Sequence, residues 1–182
     1  MEIAAALRRW RNSRGFGVHS PFGFMLVENV FKKQRGYAYY AYNDIFRDCR
    51  HDGSSRDIEH GAKTLMRLAC ILMPSSAFLP PKTPKAFRTA LANANPHIRF
   101  ATRAAKAAEC DMIASRSTMI SADALQKFLS QPGKTLLLRD VPDGWRDKLF
   151  DAMDEGLMFE GKHNIIIMSR PQMQKVRYLI NI

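Results

Sequence analysis

Short apolar segments alternate with helix-like segments through residues 75–182, and this alternation restricts the chain to a small set of folds. The clearest apolar segment is Thr135–Arg139, whose centre is a run of leucines. Alternating strands and helices predict a parallel sheet with helices on both faces. The last two apolar segments flank Gly161-Lys162-His163, which predicts a hairpin that adds an antiparallel edge. The fold class is therefore α/β with a mostly parallel sheet, and the predicted strands are residues 77–79, 97–102, 111–114, 135–139, 157–160 and 164–168.

Residues 1–73 contain no predicted strand and are interpreted as a helical amino-terminal cap. Ser20 is a preferred N-cap residue and Pro21 suits the first helical position, so a helix is expected to begin there. Further helices are expected over residues 3–14, 37–48 and 57–73, the last with its apolar residues at steps of three and four. The α/β part then covers residues 74–182, and the two parts are either separate domains or one compact unit.

Length and composition favour a folded protein that needs neither disulfides nor a membrane. A chain of 182 residues with 46% hydrophobic side chains buries about 70% of its unfolded surface, which suffices for a core. Cys49, Cys70 and Cys110 are odd in number and far apart, which argues against a disulfide framework or a zinc cluster. No apolar run has the length of a signal peptide or a membrane span. We therefore expect a cytoplasmic protein without a membrane segment or a metal site.

The positive charge is concentrated in one part of the chain. The sequence has 28 Lys and Arg against 17 Asp and Glu, a formal charge of +11, and the 49 residues between Glu59 and Glu109 include no carboxylate. Such a field attracts anions, so residues 63–106 could bind nucleic acid, an anionic ligand or an acidic partner, or form a solvated basic surface. No zinc-finger spacing, RNP pattern or KH-type GxxG accompanies them. The cations of this stretch are Lys63, Arg67, Lys82, Lys85, Arg88, Arg99, Arg103 and Lys106.

Two segments at the ends of the chain resemble a known family. Residues 11–22, RNSRGFGVHSPF, resemble the amino-terminal GHGVHSPF signature of a group of bacterial small-molecule O-methyltransferase-like proteins. The second segment is the carboxyl-terminal stretch, which is similar to the ending of the same group at residues 135–141, TLLLRDV, at Trp145, at residues 156–159, GLMF, and at residues 174–181, QKVRYLIN. The resemblance implies the class I S-adenosylmethionine-dependent methyltransferase fold, with a Rossmann-like sheet. It is specific at the two ends, and the middle of the chain matches in layout only.

The resemblance also indicates where a cofactor would bind, and this chain departs from the family at those positions. The family has a glycine-rich loop after the first strand, whereas residues 80–85 contain three prolines and no glycine. Acidic residues normally follow the second, fourth and fifth strands, and of these only Asp140 remains. A neutral or basic pocket is unfavourable for the sulfonium and ammonium groups of S-adenosylmethionine. The cofactor-binding positions implied by the family are Pro81, Lys82, Thr83, Thr102, Arg103 and Ser115.

The segment between the predicted strands at residues 97–102 and 111–114 is too short for a complete helix–strand–helix passage. Compared with the family, the sheet is therefore expected to lack one strand. Together with the altered cofactor positions, this favours a chain that has lost ordinary cofactor binding.

The candidate catalytic residues are His19 and Asp140. His19 is either a base or ligand beside a substrate pocket, or a residue whose ring fixes its own loop. Asp140 is either a residual catalytic or metal-binding carboxylate, or a cap for the turn that follows. The tyrosines at residues 37–42 could stack on an aromatic ligand or cover the core. His51 and His60 have no third ligand nearby, so no metal site is expected.

Three functions are compatible with these patterns. The first is a degenerate, catalytically inactive methyltransferase-like protein without a cofactor, acting as a binding or partner protein. The second is an active S-adenosylmethionine-dependent methyltransferase that acts on a small molecule through an atypical pocket. The third is a basic protein that binds nucleic acid or another anion. A homo-oligomer is a further expectation, since the acidic stripe Asp143, Asp147, Asp151 and Asp154 is either solvated or docks on a basic patch of a second copy.

Overall fold

The computed structural model describes residues 2–12, 14–15, 17–32, 39–101 and 103–181. Its helical elements are α1 (Glu2–Asn12), α2 (Pro21–Leu26), a π-helical turn (Val27–Phe31), α3 (Tyr39–His51), α4 (Arg56–Leu72), α5 (Lys85–Ala94), 3-10 turns (Ala104–Glu109 and Ser117–Met119), α6 (Ala122–Leu129) and α7 (Asp143–Asp151). Its strands are β1 (Ser76–Phe78), β2 (Arg99–Ala101), β3 (Met112–Arg116), β4 (Thr135–Arg139), β5 (Gly156–Glu160), β6 (Asn164–Ser169) and β7 (Val176–Leu179).

Within the described residues, seven strands form one mixed sheet in the order β2-β1-β3-β4-β6-β5-β7. Strands β2, β1, β3 and β4 are parallel, and β6 pairs antiparallel with both β4 and β5. The prediction of a mostly parallel α/β sheet with an antiparallel hairpin is confirmed. Strand β7, which pairs parallel with β5 at the edge of the sheet, was not predicted as a strand.

The sheet separates two apolar cores, and the leucines of β4 show how they are divided. Leu137 faces the core formed with α2, α3, α4 and α5, whereas Leu136 and Leu138 face the core formed with α6 and α7. This is the period-two alternation of side chains along a strand. The first core continues across residue 73, because Leu65 of α4 belongs to the same cluster as Phe87 of α5.

The sequence predicts helix N-caps at Ser20, Thr83 and Ser121, and two of these three caps are present in the structure. The Ser20 hydroxyl accepts a hydrogen bond from Gly23 N at 3.2 Å, and the Ser121 hydroxyl accepts one from Ala124 N at 3.3 Å. The prediction that Thr83 caps α5 is wrong: the cap position is taken by Pro84, whose extended backbone starts the helix at Lys85. The Thr83 side chain therefore makes no capping hydrogen bond to α5.

Some predicted boundaries also shift. Helix α7 ends at Asp151, so Asp154 does not continue its acidic stripe, and residues 104–109 form a 3-10 helix. Tyr37, the predicted start of α3, lies outside the described residues, as do Ser13 and Phe16 of the amino-terminal motif. None of the helices in the described part of the chain is long and apolar enough to cross a lipid bilayer.

We expect Gly156→Ala to destabilise the protein by about 3 kcal/mol or more. Gly156 has φ +131°, and a Cβ there would overlap the Met168 carbonyl oxygen and lie 2.9 Å from Arg170 N. Urea unfolding measures the change. The control is Gly144→Ala, where no atom lies within 4 Å of the added Cβ. Equal stabilities of the two variants would contradict the tight approach of β5 to β6.

Candidate functional site

The sheet has a topological switch point between β1 and β3. The chain leaves β1 to form β2 on one side, and then returns to form β3 on the other side. Connections at such a point run in opposite directions, so they open a crevice at the carboxyl ends of the strands, where open α/β sheets bind their ligands. In this protein the crevice is bounded by the loop after β1, by the start of α5 and by the ends of β3 and β4.

Side chains fill this crevice. Leu79 and Pro80 are buried at the end of β1, and the Arg139 guanidinium extends from the end of β4 to 5.8 Å from the ring of Phe87. Arg139 borders two cavities, each of about 10 Å³. A cavity of that size holds about one water molecule. The crevice between the described residues therefore has no room for a nucleoside.

Arg139 itself is an unusual residue for this position. Its exposure is 7%, its Nε has no hydrogen-bond partner, and none of the ion pairs among the described residues includes it. Burial lowers the pKa of Arg139, and the charge of Arg116 acts in the same direction. The negative charge of Asp140, and less strongly that of Asp57, opposes that shift.

The structure brings only some of the predicted cofactor-binding residues together. Thr83 and Ser115 line the same water-sized cavity, beside Arg139. Pro81, Lys82 and Arg103 are exposed and do not line it. Thr102 lies outside the described residues. The Ser115 hydroxyl donates to the Arg116 carbonyl oxygen at 2.9 Å, so it is already engaged.

Asp140, the candidate catalytic carboxylate, lies on the surface. Its backbone is left-handed, with φ 55°, and its carboxylate is 3.3 Å from Arg116 Nε. Its carbonyl oxygen accepts a hydrogen bond from the Ser117 hydroxyl at 2.5 Å. Asp140 is therefore a turn residue whose position is fixed by its contacts with Arg116 and Ser117.

A large opening lies elsewhere, at the β7 edge of the sheet. It is a groove of about 1160 Å³ between α1, the loop at residues 17–21 and strand β7. His19 and Ser20 line one wall, while Tyr178 and Leu179 line another. The groove thus joins the two chain ends that carry the family resemblance. His19 is exposed there, and Asp140 does not line the groove, so the two candidate catalytic residues do not converge.

A network of charges forms one side of this groove. The buried Glu160 carboxylate accepts hydrogen bonds from Arg146 Nη1 at 2.6 Å and from Arg177 Nε at 2.5 Å. Arg177 also donates to Asp147 at 2.5 Å. Burial opposes the charge of Arg177, but its hydrogen bonds to Asp147 and Glu160 outweigh burial and raise the pKa of Arg177. This network is nearly neutral, so the exposed Arg8 and Arg11 of α1 give the groove its positive potential.

The cations of the carboxylate-free stretch at residues 63–106 do not form one surface. Arg67 is buried and donates to the Val30 carbonyl oxygen and the Tyr42 hydroxyl, while Lys63 pairs with Glu59. Lys85 lies 3.0 Å from Asp48. Besides Lys85, the exposed cations of the stretch are Lys82, Arg88, Arg99, Arg103 and Lys106, several of them around β2 at the opposite edge of the sheet from the groove.

Sequence reasoning identified His19 but did not identify Arg139, Glu160 or Arg177 as site residues. The available signal was a charged residue directly continuing an apolar strand, as in Leu138-Arg139 and Phe159-Glu160. Two of the tyrosines considered for stacking on an aromatic ligand are described: the Tyr42 hydroxyl accepts a hydrogen bond from Arg67, and Tyr40 is 86% exposed.

Within the described part of the chain, no group of three or more His, Cys, Asp or Glu side chains could hold a metal ion. A scan against protein-family models, a search of the curated proteins and a search of the solved structures each found no match to this chain.

We expect Glu160→Gln to reduce the free energy of unfolding by about 3 kcal/mol, because the change leaves two partly buried guanidinium groups with less compensation. Chemical denaturation measures it. Asp143→Asn is the matched control, since Asp143 lies 3.9 Å from Arg146 but is fully exposed, and its stability should stay unchanged. If Glu160→Gln were as stable as the control, the charge network would not support the groove.

Proposed function

We propose that this chain is a degenerate class I methyltransferase scaffold that has lost its cofactor and now acts as a binding protein. The strand order β2-β1-β3-β4 supports this ancestry, because it equals the doubly wound order 3-2-1-4-5 with the outermost strand removed. The convergence of both family-like chain ends at one groove is a second supporting observation.

The position of Arg139 is the single observation that carries the proposal. Its guanidinium occupies the crevice in which a Rossmann-like protein would hold a nucleoside, and the space left beside it holds about one water. S-adenosylmethionine carries a sulfonium and an ammonium group, so a buried guanidinium would repel it as well as exclude it. The small size of the cavity and the positive charge of Arg139 therefore both oppose the binding of S-adenosylmethionine.

An active methyltransferase is the less favoured candidate. Catalysis would need the cofactor, an acid or base and the substrate in one place. His19 lines the groove, whereas Asp140 is paired with Arg116 outside it.

The groove itself is supported as a ligand site by its size and its arginines, and the ligand we propose is anionic. The three cysteines are free, which fits the reducing cytoplasm that we propose as the location.

Isothermal titration with S-adenosylmethionine and with S-adenosylhomocysteine should show no binding at millimolar ligand, because the crevice is filled. An active methyltransferase titrated under the same conditions is the positive control. A micromolar dissociation constant for either compound would contradict the loss of the cofactor site.

Binding of anionic probes should depend on the groove rather than on the β2 edge. The probes are a fluorescein-labelled oligoglutamate peptide and an oligonucleotide of equal charge, measured by fluorescence polarisation. We expect the double substitution R8Q/R11Q to weaken binding about tenfold, or 1.4 kcal/mol. The control R103Q/K106Q removes the same charge at the opposite edge and should have little effect. The reverse ranking would favour the basic stretch at residues 63–106 as the binding surface.

A further inference from the structure

Arg139 is a buried cation that forms no ion pair with any of the described residues. Its side chain is more than nine-tenths buried, and its Nε has no hydrogen-bond partner. Asp140, the acidic residue next to it in sequence, pairs with Arg116 instead. An unpaired buried charge is strongly destabilising, so such a group persists where something compensates for it.

The cavity beside Arg139 has other features that attract an anion. The Thr83 Oγ1 atom is buried without a hydrogen-bond partner, and Thr83 lines this cavity. Pro84, which also lines it, is the N-cap of α5. The first turn of this ten-residue helix contains no acidic residue, and no side chain caps its N–H groups. Helix N-termini with free N–H groups bind anions.

We propose that this cavity is a binding site for one small inorganic anion, held by Arg139 Nε, Thr83 Oγ1 and the N-terminal end of α5. The volume of about 10 Å³ excludes a ligand with a carbon skeleton and suits an ion of the size of chloride. The site does not depend on the ancestry proposed above, since it rests on burial, charge and volume alone.

The test is the thermal unfolding of the full chain at constant ionic strength, with sodium gluconate replaced stepwise by chloride, sulfate or phosphate. Gluconate is too large for the cavity and serves as the reference anion. We expect the Tm of the wild type to rise by about 3 °C in the anion that fits. Because sulfate and phosphate stabilise folded proteins in general, the occupant is the anion whose effect is lost in the Arg139 variant. Arg139→Met should abolish the rise.

Lys106→Met is the control, because it removes one exposed positive charge and should retain the full response. If Arg139→Met does not fold, Thr83→Val tests the same site and should weaken the response. A response of equal size in Lys106→Met and in the site variants would show general anion binding to a basic protein and would overturn the proposal. The absence of any response in the wild type would overturn it as well.

Crystals grown in bromide give a direct measurement. An anomalous peak within hydrogen-bond distance of Arg139 Nε and Thr83 Oγ1 supports the site. Bromide found on the protein surface but not in this cavity contradicts it.

Discussion

The burial of the Arg139 guanidinium at the end of β4 is the constraint that determines what the crevice at the switch point can hold. Its side chain shares the sheet face of Leu137 and reaches the ring of Phe87, where a doubly wound protein usually leaves space for a ligand. Helices α4 and α5 pack together over the same face. A crevice filled in this way cannot be reopened by a loop movement alone, because Arg139 would have to leave the core.

A methyltransferase binds its nucleotide cofactor and its substrate at one place. In this structure the crevice at the switch point is filled, and the open groove lies at a different place, the β7 edge of the sheet. Between the described residues at the switch point there is no nucleotide-sized space, whereas the groove at the β7 edge is large and carries arginines from α1. Glu160 and its two arginine partners hold the strands at that edge in a fixed arrangement. This separation of the two places supports the proposal of a binding protein whose ligand lies at the edge of the sheet.

Much of the fold, but little of the site, was predictable from the sequence. The run Leu136-Leu137-Leu138 and the caps Ser20 and Ser121 are local signals, and each predicted its element correctly. Strand β7 was missed because its sequence, Val-Arg-Tyr-Leu, lacks a long apolar run and depends on its pairing with β5. The burial of Arg139 could not be predicted, since it depends on Phe87 and Thr83, which are distant in sequence.

The most direct measurement is a high-resolution crystal structure of the protein grown with millimolar S-adenosylhomocysteine. We expect electron density for the Arg139 guanidinium beside the Phe87 ring, with no nucleoside at the carboxyl ends of β1 and β3. An adenosine group bound in that crevice, with Arg139 turned into solvent, would contradict it.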